Sequence, residues 1–256
     1  DDVNGVDDVF LNFVNLFFEK HAPISLAVEP GNITQDAHTW LQDVLDHDAS
    51  RIELVQHGWK HAKYRQGEFD DSRSYEEQYQ DLKRGKERME EMFGPFFFPM
   101  LTMPYAIHNR STIRAADELG FRVFRSRFSE KFHYRLFYKI GSLLRANKIF
   151  RYRVSHHLRY MPGTRLFSID VSMSMVRSYH GPRGLEMFSL EDLQAIFHRV
   201  KTHTSAILVL LHHPYHKTPE SLGRIGEWID FLKSVDGVRF TTCQSIFQRY
   251  IPDRKH

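Results

Sequence analysis

Apolar residues along the chain recur in two rhythms. Phe10, Phe13, Val14, Phe17 and Phe18 follow the helical spacing i, i+3, i+4, i+7, i+8 ahead of Pro23, which predicts a helix over residues 7–20. The run Ile24-Ser25-Leu26-Ala27-Val28, closed by Pro30-Gly31, reads as a short strand. The same alternation continues. Helices are predicted over 39–46, 75–92, 111–119, 190–202, 219–234 and 242–250, and strands over 52–56, 98–101, 121–124, 166–171, 206–211 and 238–240. Gly94-Pro95 ends one helix and Gly120 supplies the C-terminal signal of the next.

Strands alternating with helices, without hairpin signals, predict an α/β fold with a parallel sheet. About six or seven repeats in this length favour a β/α barrel over an open doubly wound sheet. Dinucleotide and P-loop fingerprints are absent, which removes the usual functions of an open sheet. The 256 residues are read as a single domain, broken by an irregular stretch at 129–161.

Composition narrows the chemistry. The apolar fraction of 41% and charged fraction of 26% are those of a soluble globular protein, and no apolar run approaches the length needed to cross a bilayer. A net charge of +3 is too small to argue for nucleic acid, and no zinc-finger, RRM or basic-zipper pattern occurs. The chain opens at Asp1 without Met, so its compartment stays open between cytoplasmic, which is slightly favoured, and secreted or periplasmic. One cysteine, Cys243, cannot build a disulfide or a thiolate cluster within the chain. Any metal must therefore be held by carboxylates and the 16 histidines.

Polar residues gather just after the predicted strands, where a β/α barrel brings distant parts of the chain to one rim. They include Asp1-Asp2, His57-Gly58-Trp59-Lys60-His61, Pro104-Tyr105, Asp170 and His212-His213-Pro214-Tyr215-His216. His57 and His61 are spaced to reach one cation, although spacing alone does not separate ligands from two surface histidines, and His212 and His216 repeat it. Position does more. His57 follows an apolar strand beside Gly58, and His212 follows the apolar run 207–211.

In order, Asp-Asp, His-Gly-Trp-Lys-His, Pro-Tyr and Leu-Leu-His resemble the polysaccharide deacetylase superfamily, of the NodB or carbohydrate esterase type. The resemblance is to its bacterial branch with His-Gly-Trp-x-His, a Glu-Phe segment (Glu68-Phe69) and a charged helix ending in Phe-Gly (Phe93-Gly94). It implies an irregular (β/α)7 barrel whose first strand lies upstream of residue 1, and removal of acetyl groups from acetylated sugars with one divalent metal. Zinc is the expected ion, with cobalt, nickel and manganese as alternatives. Asp2, His57 and His61 correspond to the metal ligands, Asp1 to the general base, His212 to the general acid and Tyr105, through its N–H, to the oxyanion donor. Trp59, Arg110 and Asp170 are expected around the substrate or behind the ligands. The pattern departs at Thr102, where many members carry an arginine that orients the base; Arg110 is a candidate replacement.

Two rival functions use the same residues: a metal- and sugar-binding barrel without turnover, and a glycosidase with paired carboxylates on a similar barrel. The stretch 129–161 carries Lys131, Arg135, Lys139, Arg145, Lys148, Arg151, Arg153 and Arg159 against one acid, Glu130. Tyr134, Phe137, Ile140, Leu143 and Leu144 recur near helical period within it, which predicts a basic amphipathic helix on the mouth side. That helix either docks on the barrel or meets an anionic glycan or a membrane surface.

Overall fold

The computed structural model describes residues 2–125, 157–181 and 184–250, together with the single position 140. The amphipathic helix expected within 129–161, and Asp1, lie outside the described residues.

Six strands form a parallel ladder: β1 (Asp2–Val3), β2 (Ile24–Val28), β3 (Ile52–His57), β4 (Phe97–Thr102), β5 (Val123–Phe124) and β7 (Phe167–Ser168). The short β6 (Arg159–Tyr160) pairs antiparallel on the outer side of β7. The chain then continues through Ile169 and Asp170 into β8 (Val171–Ser174), which pairs in parallel with β11 (Leu208–Leu210) as a separate ladder. Among the described residues no ladder joins β11 to β1. The fold is an irregular α/β barrel of the expected kind, and side chains bridge this gap at its mouth. No helix among the described residues is long and apolar enough to cross a membrane.

Local chemistry sets the helix ends. Asp7 caps α1 (Asp8–Glu19) by accepting the Phe10 N–H at 2.8 Å, and Phe10, Phe13, Val14 and Phe17 then fall on its buried face. Thr34 starts α2 (Gln35–Asp48) four residues before the apolar pattern does, because the cap and the polar first turn carry no apolar signal. Capping boxes begin α3 (Tyr75–Phe93) at Ser74 and Glu77, and α4 (Arg110–Glu118) at Asn109 and Thr112. Ser189 caps α5 (Leu190–Val200), Thr218 caps α6 (Pro219–Ser234), and α7 (Cys243–Tyr250) closes the described chain.

The strands bury both faces. Leu26, Leu54, Leu101 and Phe124 pack outward in the large core that includes α1 and α3. Ala27, Val55, Phe98, Met100, Val123, Phe167 and Ile169 pack on the opposite, inner face with Cys243 and Phe247 of α7. Glu53, near the start of β3, ties α7 in place: its carboxylate accepts the Cys243 and Gln244 N–H groups at 3.1 and 2.7 Å, and the Ser25 hydroxyl at 2.6 Å. Burial pushes its carboxyl up despite these bonds. The helix therefore closes the end where the strands begin, and leaves the end where they finish for the site.

Several expectations change. Asp2 and Val3 pair in parallel with β2, so Asp2 is itself a strand residue. Residues 238–240 form no strand, and the strand expected over 166–171 divides into β7 and β8 at Ile169-Asp170. An unexpected hairpin, β9 (Val176–Gly181) with β10 (Gly184–Met187), pairs antiparallel.

Candidate metal centre

Side chains alternate along a strand, so Val55 and His57, Met100 and Thr102, and Val123 and Arg125 share the inner face. Asp2 joins them through its register with Ala27. The rim at the strand ends is therefore polar over an apolar barrel interior.

Beyond His57 the chain turns at Gly58, whose φ is +57°. A Cβ there would lie 2.3 Å from Glu68 Oε2 and 2.8 Å from the Pro104 ring, so only glycine fits. The buried Glu68 carboxylate accepts the Trp59 N–H at 3.2 Å and the Lys60 N–H at 2.7 Å. On the other side Gly31 N–H donates to the Trp59 carbonyl at 2.8 Å, and Asn32 Nδ2 donates to the Lys60 carbonyl at 2.6 Å. Pinned from both sides, the loop delivers His61 in a left-handed conformation, φ +53°. The result is a cluster: one carboxylate oxygen of Asp2 and one ring nitrogen each of His57 and His61 lie within 4.8 Å of one another.

His57 is almost wholly buried. Its Nδ1 is 2.7 Å from Thr102 Oγ1, and its Nε2 has no hydrogen-bond partner. That nitrogen lies 3.5 Å from Asp2 Oδ1, close to the separation of roughly 3.4 Å between two ligands each about 2.1 Å from one tetrahedral cation. A buried ring nitrogen without a partner is costly unless something binds it, and two imidazoles with a carboxylate are the donors a divalent transition metal takes. The residues fit such an ion. Burial, with the charges of His61 and Arg125, pushes the His57 imidazole down to about 4 in spite of Asp2, which keeps it neutral as a ligand must be. Burial alone would raise the Asp2 carboxyl. The electrostatic interaction with the neighbouring His57 and the hydrogen bond from His212 outweigh it and hold the group below the ordinary carboxylate range.

Around this cluster, His212 Nδ1 lies 3.2 Å from Asp2 Oδ2, bridging the gap between β11 and β1. His213 and His216 turn the other way: the His213 ring sits edge-on to Phe10 at 5.2 Å, and the His216 ring stacks on Phe13 at 6.0 Å. The Tyr105 ring lies 4.5 Å from the His61 ring, and its hydroxyl donates to the His61 carbonyl at 3.2 Å. Tyr105 and Ala106 both have positive φ, 58° and 53°, a strained pair of non-glycine residues beside the cluster. Trp59, half-buried, lies against Gly31, where a Cβ would meet its ring at 2.8 Å.

Arg110 is exposed in the first turn of α4, and Asn109 before it is the helix cap. Asp170 is fully buried; it accepts the Ser168 hydroxyl at 2.6 Å, and its N–H donates to His157 Nδ1 at 3.2 Å. Two further rim residues were not among the expected site residues, although Thr102 marks the departure from the family pattern. Thr102 contacts His57 directly, and Arg125 stands one residue past the Leu101–Phe124 pair, its N–H donating to the Leu101 carbonyl at 2.9 Å. The Arg125 charge is felt by both His57 and the buried His108, whose imidazole burial pushes down to about 3. Both positions obey the rule that strand ends face the mouth, which is the signal that could have found them.

The polysaccharide deacetylase family model matches residues 4–124. No curated protein matches the chain by sequence. Among solved structures, a protein assigned as a polysaccharide deacetylase from Mycobacterium smegmatis superposes with a TM-score of 0.63 at 14% identity, over 94% of this chain and 76% of its own. One from Pseudomonas aeruginosa PAO1 superposes with 0.65 at 12% identity, over 96% and 73%. A CE4 esterase from Streptococcus mutans gives 0.53 at 12% identity, over 94% and 83%. The matched segment runs through both candidate histidine ligands and Pro104-Tyr105, and the superpositions extend to the remainder of the chain. Residues 4–124 match the polysaccharide deacetylase family model, and the chain as a whole shares the fold of solved structures assigned to that family.

Proposed function

We propose that the protein is a metal-dependent hydrolase that removes acetyl groups from an acetylated carbohydrate. The observation that carries this reading is the convergence of Asp2, His57 and His61 on one point at the mouth, with His57 Nε2 buried and unpartnered. These three residues would hold the ion, zinc by the character of the donors, and three protein ligands leave positions open. When bound, it supplies Lewis-acid chemistry, lowering the pKa of a water and polarising the acetyl carbonyl.

The chain's own residues do the rest. Asp1 takes the proton of the attacking water as general base. The Tyr105 N–H donates to the carbonyl oxygen as it gains negative charge, a role that the strained turn at 105–106 beside the cluster supports. His212, protonated, gives its proton to the departing amine or alcohol. Trp59 offers an aromatic wall beside the mouth. Acetate release from an acetylated chito- or xylo-oligosaccharide tests the reading. The wild-type chain loaded with zinc should release acetate, and chelation or Asp1→Asn should cut the rate by about 100-fold or more, the range of a lost general base. Release of reducing ends without acetate, or acetate release indifferent to chelation, would overturn it.

A further inference from the structure

Thr102 is the last residue of β4 and stands directly opposite His57 in the ladder. Its hydroxyl lies 2.7 Å from His57 Nδ1 and 3.3 Å from the carbonyl of Gln56. A carbonyl only accepts, so the single hydroxyl proton goes to Gln56, and the oxygen's lone pair receives the proton on Nδ1. A neutral imidazole has one N–H. With that proton on Nδ1, the lone pair of Nε2 is left facing Asp2 and His61, at the buried atom that has no hydrogen-bond partner. An arginine at 102 could not do this, because a guanidinium has no acceptor for Nδ1–H.

We propose that Thr102 is a positioning residue that fixes His57 in the Nδ1–H tautomer and so sets Nε2 as a ligand before any cation arrives. This rests on the metal reading of the cluster, and it gives position 102 a task different from orienting a base. A ligand's partner on its far nitrogen typically governs metal affinity by 10- to 100-fold.

Two measurements on wild type, Thr102→Val and Thr102→Ser decide it, with circular dichroism establishing that each variant is folded. In the metal-free protein, imidazole 15N shifts should show His57 protonated on Nδ1 in wild type and in the serine variant, and a mixed or reversed tautomer in the valine variant. Zinc competition against a chromophoric chelator should then show affinity reduced by roughly 10- to 100-fold in Thr102→Val and retained in Thr102→Ser. His57 protonated on Nε2 in the wild type, or a valine variant with unchanged tautomer and zinc affinity, would overturn the inference. A wild type that shows the Nδ1–H tautomer and binds no zinc would instead overturn the metal reading, and with it the purpose given to Thr102.

Discussion

Gly58 and Thr102 show how much of the site is decided by single residues that carry no charge. Gly58 is held at positive φ with Glu68 and Pro104 against the space where a Cβ would stand. Gly58→Ala would add the left-handed strain of an alanine and push the Glu68 carboxylate off the Trp59 and Lys60 N–H groups. The expected cost is about 2 kcal/mol or more in urea denaturation, from backbone strain and lost charge-assisted hydrogen bonds together. A variant as stable as wild type would show that the loop is not held as described. The two histidines were legible in the sequence because ligand spacing and placement after an apolar strand coincide, whereas Asp2 was legible only through the family resemblance. Thr102 was legible only as a departure from a motif. Its contact with His57 appears when β3 and β4 are set in register, and no local spacing encodes that register.

Elements were legible in proportion to how much apolar face they bury. The boundaries of α6 agree with its sequence pattern, and β2 is as read, because a long amphipathic helix and a closed apolar run leave little choice. Caps shifted other boundaries: Thr34 begins α2 well ahead of its first apolar turn. Segments without a long ladder were least legible. The pair β5 and β7 are two residues each, too short for a clear alternation to show in the sequence. The hairpin β9–β10 was passed over because alternating strands and helices had set the expectation of parallel pairing. Arg110 belongs to the exposed first turn of α4, whereas Arg125 reaches the inner face because it continues the alternation of β5.

The whole molecule separates its two ends: an apolar interior closed by α7 where the strands begin, and a polar mouth with buried imidazoles where they finish. That burial makes stability depend on pH. His216 is buried with both ring nitrogens unpartnered, and burial, with the charges of His212 and His213, pushes it down to about 4 from an ordinary 6.5. Between those values the unfolded chain binds the proton and the folded one does not, so the stability due to neutral His216 is complete above pH 6.5 and is lost as pH falls through 4. Buried Glu53 and Glu68, shifted upward, act in the opposite sense, which makes a difference measurement the informative one. His216→Phe should flatten the dependence of unfolding free energy on pH in that window by about one proton, roughly 1.4 kcal/mol per pH unit. An unchanged slope would show that His216 is not held neutral. The central claim concerns the other histidines, and anomalous diffraction at the zinc edge from crystals of the zinc-loaded protein tests it most directly. One peak is expected, about 2.0–2.2 Å from an Asp2 carboxylate oxygen, from His57 Nε2 and from a ring nitrogen of His61. A fully loaded crystal with no peak among these three residues, or with its zinc held elsewhere, would contradict the account.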